Sequence, residues 1–156
     1  MKSSRRFRAA AFTIAEVMVA IGLFGITAAA AVAGLLRMNN NAALCRLQTG
    51  ASTIAQNQID LILSDSPFNP QYSQVPPELT IGTTSQGTST APTVAVYTDP
   101  VTNVQVLGWM TTVVTDTSST LNGSTLYVYK ATVTVSYYYR GRLYSVSMDT
   151  TRCADT

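Results

Sequence analysis

The chain has 156 residues, 46% of them hydrophobic and only 12% charged, a length that suits one compact domain plus an added segment. Its net charge of +2 rests on Lys2, Arg5, Arg6 and Arg8; without the first 11 residues six basic groups face eight acidic ones, which excludes a nucleic-acid binder by bulk charge. Histidine is absent, and two widely separated cysteines offer no CxxC or zinc-type spacing, so the commonest general base and metal-ligand sets are missing and no enzyme, cofactor or metal site is expected.

The first element is apolar. From Phe12 to Leu36 run 25 residues in which Glu16 is the only charge. About 20 such residues cross a bilayer core as a helix. Four basic residues precede the run and Arg37 succeeds it, which predicts a cytoplasmic N-terminus and an extracytoplasmic remainder. A cleaved signal peptide is the simplest competitor, with "KSSRRFR" as basic region and "TAAAAVAG" as cleavage zone. Two features oppose it. An ionised acid in the apolar region costs about 2.5–3.5 kcal/mol even on the lenient insertion scale, and the helical pattern continues past the cut.

The stretch "RAAAFTIAEVMVA" explains the acid. A basic leader, a small residue, Phe-Thr, an apolar pair, Glu and Val-Met-Val-Ala together resemble the leader of type IV pilins and type II secretion pseudopilins. The resemblance implies that a prepilin peptidase cuts between Ala11 and Phe12, that the new Phe12 amine is N-methylated, and that Glu16 pairs with the Phe amine of a neighbouring subunit. A carboxylate in a membrane is tolerable when a cation meets it, and cleavage creates an ammonium group. Ala11 stands where the family usually has glycine.

Beyond the membrane the helical pattern runs to about Ser64. Leu44, Leu47, Ala51, Ile54, Leu61 and Ile62 recur at helical steps and form one apolar stripe. Asp65, Ser66 and Pro67 then end the helix. Gly22, Gly25, Gly34 and Gly50 weaken it, and they read either as close-packing or tolerated positions or as places where it bends. "ASTIAQNQIDLILSDSPFNPQ" is similar to the end of the long helix in minor pilins of the PilV type and minor pseudopilins of the I class.

Residues 65–93 read as a surface loop: Pro67, Pro70, Pro76 and Pro77 interrupt regular structure, and Gly82–Thr93 is mostly Gly, Ser, Thr and Pro. From Thr93 onward the chain reads as β, in "TVAVYT", "NVQVLGWMTTVVT", "STLYVYKATVTVSYYYR" and "RLYSVSMDTT". A two-residue turn at Arg140-Gly141 makes Tyr137 face Tyr144, Val135 face Val146 and Val133 face Met148, all on one apolar face. Lys130, Thr132, Thr134, Ser136, Ser145, Ser147 and Asp149 fall on the other. Arginine fits a tight primed turn poorly, so a longer turn stays open.

The expected fold is therefore α+β, a long N-terminal helix packed on a C-terminal antiparallel sheet, as the resemblance also implies. Its parts are a leader (1–11), a transmembrane half-helix (12–36), an amphipathic half-helix (37–64), a loop (65–93) and a sheet domain (94–156). In an extracytoplasmic compartment Cys45 and Cys153 can pair and tie the sheet to the helix, adding roughly 4–5 kcal/mol in the chain-entropy model; two free thiols is the competing reading. Tyr137, Tyr138, Tyr139, Arg140 and Arg142 are read as core packing with Tyr138 outside, not as a nucleic-acid tip. The acids Asp99, Asp116, Asp149 and Asp155 are scattered singly, which weighs against a calcium site. Asn122-Gly123-Ser124 fits a glycosylation acceptor, though "NG" between strands is more simply a turn.

The resemblance thus sets the expectation of a minor pilin or pseudopilin of a type IV pilus or type II secretion pseudopilus, held in the bacterial inner membrane and then in a filament. Its partners would be prepilin peptidase, other pilin subunits through the N-terminal helix, the inner-membrane assembly platform and membrane lipid. The alternative is a membrane-anchored periplasmic β domain that does not polymerise.

Overall fold

The computed structural model describes residues 13–65, 67–121 and 123–155. They fall into two compact units, which divide between Ala43 and Leu44. A single helix, α1 (Ile14–Ser64), begins in the first and ends in the second.

In the first unit residues 13–39 are all exposed, so among the described residues this part of α1 has no buried side chain. In the second unit Leu47, Ala51, Ala55, Ile59 and Ile62 are buried at steps of four and three, the period that keeps side chains on one helix face. This corrects the expected stripe at three residues. Ala55 and Ile59 belong to it, whereas Leu61 is 46% exposed. Leucine is more apolar than alanine, but angular position on the helix decides burial, and Leu61 lies a third of a turn away from Ile62.

The segment after the helix is more structured than a loop. Two 3-10 turns, Pro70–Tyr72 and Pro77–Leu79, each begin on proline, whose fixed φ suits a first helical position and whose missing N–H costs nothing there. Phe68 and Leu79 are fully buried anchors, each contributing about 1.5–3 kcal/mol on burial. Strand β1 (Gly82–Gln86) comes next, and every residue of "GTTSQ" is exposed. Without an apolar face it shows no alternation for a pattern to detect.

The remaining strands are β2 (Val94–Thr98), β3 (Gln105–Asp116), β4 (Ser119–Leu121), β5 (Ser124–Leu126), β6 (Val128–Tyr139) and β7 (Arg142–Cys153). The main sheet is antiparallel in the order β1-β3-β6-β7, and β2 shares with β1 the outer edge of β3. Strands β4 and β5 form a separate small hairpin. The turn of that hairpin includes Gly123 at φ +79°, and the sequon's Asn122 lies outside the described residues.

The long hairpin has the expected register: Tyr137 pairs with Tyr144, Val135 with Val146 and Val133 with Met148. Its turn is the short one. Arg140 and Gly141 both have positive φ, 50° and 74°, the signature of a two-residue primed turn. On the core face Met110, Val114, Ala131, Val133, Val135 and Tyr137 meet the helix residues in one cluster. On the other face Lys130 pairs with Asp149 at 2.9 Å.

Two glycines let backbones touch. The register of β2 against β3 shifts between Ala95 and Tyr97, so Val96 is the extra residue of a bulge. A Cβ on Gly50 of α1 would collide with the Val96 carbonyl, and one on Gly108 of β3 would collide with the Ser136 carbonyl and crowd Val96. Gly50 is thus a close-packing position.

Arg152 closes the end of α1. Only 7% exposed, its guanidinium donates to the carbonyl oxygens of Ile62, at 2.7 Å, and Asp65, two of the groups a helix end leaves without partners. It also pairs with Asp155 at 3.1 Å and lies over the Phe68 ring. The same Asp155 carboxylate accepts the Phe68 N–H at 2.8 Å. These contacts bind the last strand, the helix end and Phe68 into one network.

Candidate functional site

The most unusual surface of this chain is the first part of α1. It is the one helix among the described residues long and apolar enough to cross a membrane, it lies near the N-terminus, and none of its most apolar stretch is buried. Ile14, Met18, Ile21, Phe24, Ile26, Leu35 and Met38 are each well over half exposed. So long an apolar surface is compatible with a membrane setting, because water penalises it in proportion to its area. Thr27 fits such surroundings, since its hydroxyl donates to the Leu23 and Phe24 carbonyls of its own helix. Gly22, Gly25 and Gly34 are open; a Cβ on any of them meets nothing within 4 Å.

Glu16 sits at the start of this helix, where the chain provides it with local donors. Its Oε2 accepts the Thr13 N–H at 3.0 Å and the Thr13 hydroxyl at 3.2 Å, while the Thr13 Oγ1 accepts the Glu16 N–H at 3.3 Å. Thr13 is the residue before the first helical one and Glu16 is the third inside it, so the two form a capping box. Threonine with glutamate three residues later is the sequence signature of that box, a signal that the conspicuous charge of Glu16 overshadows. The capping donors are neutral. They serve one carboxylate oxygen and orient the group, and they bring no charge of their own to meet it. Ala11 and Phe12, the residues of the expected cut and methylation, lie outside the described residues.

The expected Cys45–Cys153 disulfide is not formed; both thiols are free and exposed. The geometry opposes the bond. Arg152 reaches the helix at Ile62, whereas Cys45 lies 17 residues earlier on α1, about 25 Å along its axis at 1.5 Å per residue. Bridged cysteines need Cα atoms within about 7 Å. Strand alternation also turns Cys153 away from the core face that holds Arg152.

The aromatic tip behaves as packing. Tyr137 is buried and stacks on Tyr144 with ring centres 5.8 Å apart, and Tyr139 is partly covered with the Arg140 guanidinium over its ring. Tyr138 is half exposed on the opposite face beside Trp109. The four aspartates have separate structural tasks. Asp99 accepts the Val101 N–H, Asp116 the Ser118 N–H, Asp149 holds Lys130 and Asp155 holds Phe68 and Arg152. Hydrogen bonds to the ionised form, from the Phe68 N–H for Asp155 and from Lys130 for Asp149, hold both carboxyls below the ordinary carboxylate value. No cluster of three or more Asp, Glu, His or Cys that could hold a metal ion occurs among the described residues.

Compared with protein-family models, curated proteins and solved structures, the chain matches none.

Proposed function

We propose that this protein is a structural subunit, a minor pilin or pseudopilin, of a type IV pilus or type II secretion pseudopilus. Prepilin peptidase would cut it between Ala11 and Phe12, and it would assemble with other such subunits through the first part of α1. Before assembly it would sit in the bacterial inner membrane with its N-terminus in the cytoplasm and the sheet domain in the periplasm. One observation carries the reading: an exposed apolar helix with a single acid near its start, continuing into a domain with its own core. A helix that anchors only needs no acid there. A helix that must find its axial register among identical apolar neighbours gains a unique reference point from one charge.

Glu16 separates this reading from a non-polymerising anchor, and the capping box sharpens the choice of variant. Glutamine serves at the third helical position of a capping box nearly as well as glutamate, but it carries no charge. Glu16→Gln therefore keeps the helix start and removes the ion pair. Incorporation into filaments, measured by immunoblot of sheared fractions, should fall for Glu16→Gln as severely as for Glu16→Ala. Wild-type incorporation of Glu16→Gln would assign the acid to capping alone and sink the assembly role. Mass spectrometry of the mature N-terminus should find N-methylated Phe12; a chain that keeps Met1, or starts at Ser4 or Val32, overturns the processing step.

A further inference from the structure

Gly50, Val96, Gly108, Tyr137 and Tyr144 share one level of the second unit. A Cβ on Gly50 would meet the Val96 carbonyl, one on Gly108 would meet Val96 and Tyr137, and Tyr137 pairs with Tyr144. Further along, the Arg152 guanidinium reaches the Ile62 carbonyl, so β7 leaves this level in the same direction as α1. The β6–β7 turn therefore lies on the opposite side, where α1 enters the unit. The β2–β3 loop lies there too. Strand β3 is antiparallel to β6, so Gln105 and the loop before it extend past Gly108 on that entry side. Hydrogen bonds from Val101 and Thr102 hold the Asp99 carboxyl of this loop below its ordinary value, and the Arg46 charge on α1 adds to the effect.

Charge divides at the same level. On the entry side stand Arg46, Arg140 and Arg142, with Asp99 as the one acid, and Asp99 is engaged by its own loop. The far side sets Lys130 and Arg152 against Asp60, Asp65, Glu78, Asp116, Asp149 and Asp155. Both far-side cations are paired, Lys130 with Asp149 and Arg152 with Asp155. The three entry-side arginines are exposed, and none has an ion-pair partner among the described residues. An acidic domain thus keeps its unpaired cations at one end. Exposed apolar side chains accompany them: Val101, 87% exposed, and the cross-strand pair Tyr138 and Leu143. Arg140 lies over the Tyr139 ring and Tyr138 lies beside Trp109, so aromatic rings sit among the guanidinium groups. Guanidinium groups meet phosphates, and amphipathic rings settle at headgroup depth in a bilayer. The chain itself brings that surface close. Ten residues lead from Leu36, the end of the apolar run, to Arg46, a reach of at most about 36 Å. Whatever the angle between the two units, this tether makes weak contacts with a membrane effective. A nucleic acid or an acidic protein has no such tether.

We propose that the entry end of the second unit docks on the anionic headgroups of the membrane that α1 enters, through Arg46, Arg140 and Arg142, with Val101, Tyr138 and Leu143 beside them. This rests on reading α1 as a membrane span and does not depend on filament assembly. Full-length protein is reconstituted in bilayers of phosphatidylcholine, or of an equal mixture with phosphatidylglycerol, each carrying a nitroxide on the headgroups. Flotation with the vesicles reports insertion. Emission from Trp109, the single tryptophan, reports docking because that ring stands beside Tyr138. Quenching should be strong in the anionic bilayers, weak in the neutral ones, and lost in about 1 M salt, where the screening length is about 3 Å. Arg140→Gln and Arg142→Gln should each lower the docked-to-free ratio about fivefold. Lys130→Gln, on the far side, should not lower it. Quenching indifferent to lipid charge, to salt or to the two arginines would overturn the proposal. So would a single-stranded oligonucleotide that perturbs Trp109 where anionic lipid does not. A chain that floats with its Trp109 unquenched overturns the docking and leaves the membrane span standing, whereas a chain that does not float overturns both.

Discussion

Gly34 and Gly50 belong to the same helix and look alike in sequence, yet they stand in different physical settings. Around Gly34 the helix is exposed on every side and a Cβ would meet nothing. Around Gly50 the helix backbone lies against the carbonyl of Val96, and a Cβ has no room. The first part of α1 leaves its apolar side chains for an environment outside the chain, whereas the second part uses its own to close a core. What a residue contributes here depends on which of these two regimes it occupies.

The largest effect is expected where the second regime ends. Arg152→Met should destabilise the sheet domain by about 3–5 kcal/mol, because it leaves two helix-end carbonyls and the Asp155 carboxylate without their partner. Chemical unfolding monitored by Trp109 fluorescence measures it, and a loss under about 1 kcal/mol, the scale of an ordinary hydrogen bond, would show that the clamp is incidental. The glycine comparison gives the next. Gly50→Ala should cost about 1–3 kcal/mol through overpacking, while Gly34→Ala should leave the domain's unfolding unchanged and raise helicity. Equal effects would erase the contrast between the two halves. Smaller is the acid response. Asp155 has a depressed carboxyl, so its contribution is present above the ordinary carboxylate pKa of about 3.9 and fades as pH falls through the lower folded value. Asp155→Asn should therefore lower stability at neutral pH and flatten the loss as acid is added below that ordinary value. Smallest of all, Cys153→Ser should not shift the melting temperature, and a thiol reagent should titrate both cysteines of the wild-type chain without prior reduction.

The β6–β7 hairpin was legible because both strands alternate strictly and only one register separates the apolar from the polar side chains. The end of α1 was legible from Pro67, and α+β came from one amphipathic helix and several alternating strands. Strand β1 was not, since an edge strand of Gly, Thr, Ser and Gln buries no side chain and carries no periodic signal. The stripe on α1 failed at Leu61 because hydrophobicity outweighed spacing. Arg152 was hidden by its charge: parity counted from Tyr144 through Met148 puts it on the core face, but an arginine at such a position reads as solvent-facing until its acceptors are known. Gly50 needed the bulge at Val96, which depends on a neighbour far along the chain. In the N-terminal segment Glu16 is conspicuous by its charge, while its local partner Thr13 shows in the sequence only through the capping-box spacing.

The guanidinium clamp also has a temporal consequence. Arg152 reaches a carbonyl 90 residues earlier in the chain, so the contact closes one of the longest loops in the domain. Such loop closure depends on earlier pairings to bring its ends together, and non-local contacts of this kind slow folding. In a chain that emerges from its N-terminus, the helix would be complete long before its cap arrives. Until β7 has added to the sheet, the last turn of α1 must rely on water for its open carbonyls, and completion of the domain waits on its final strand.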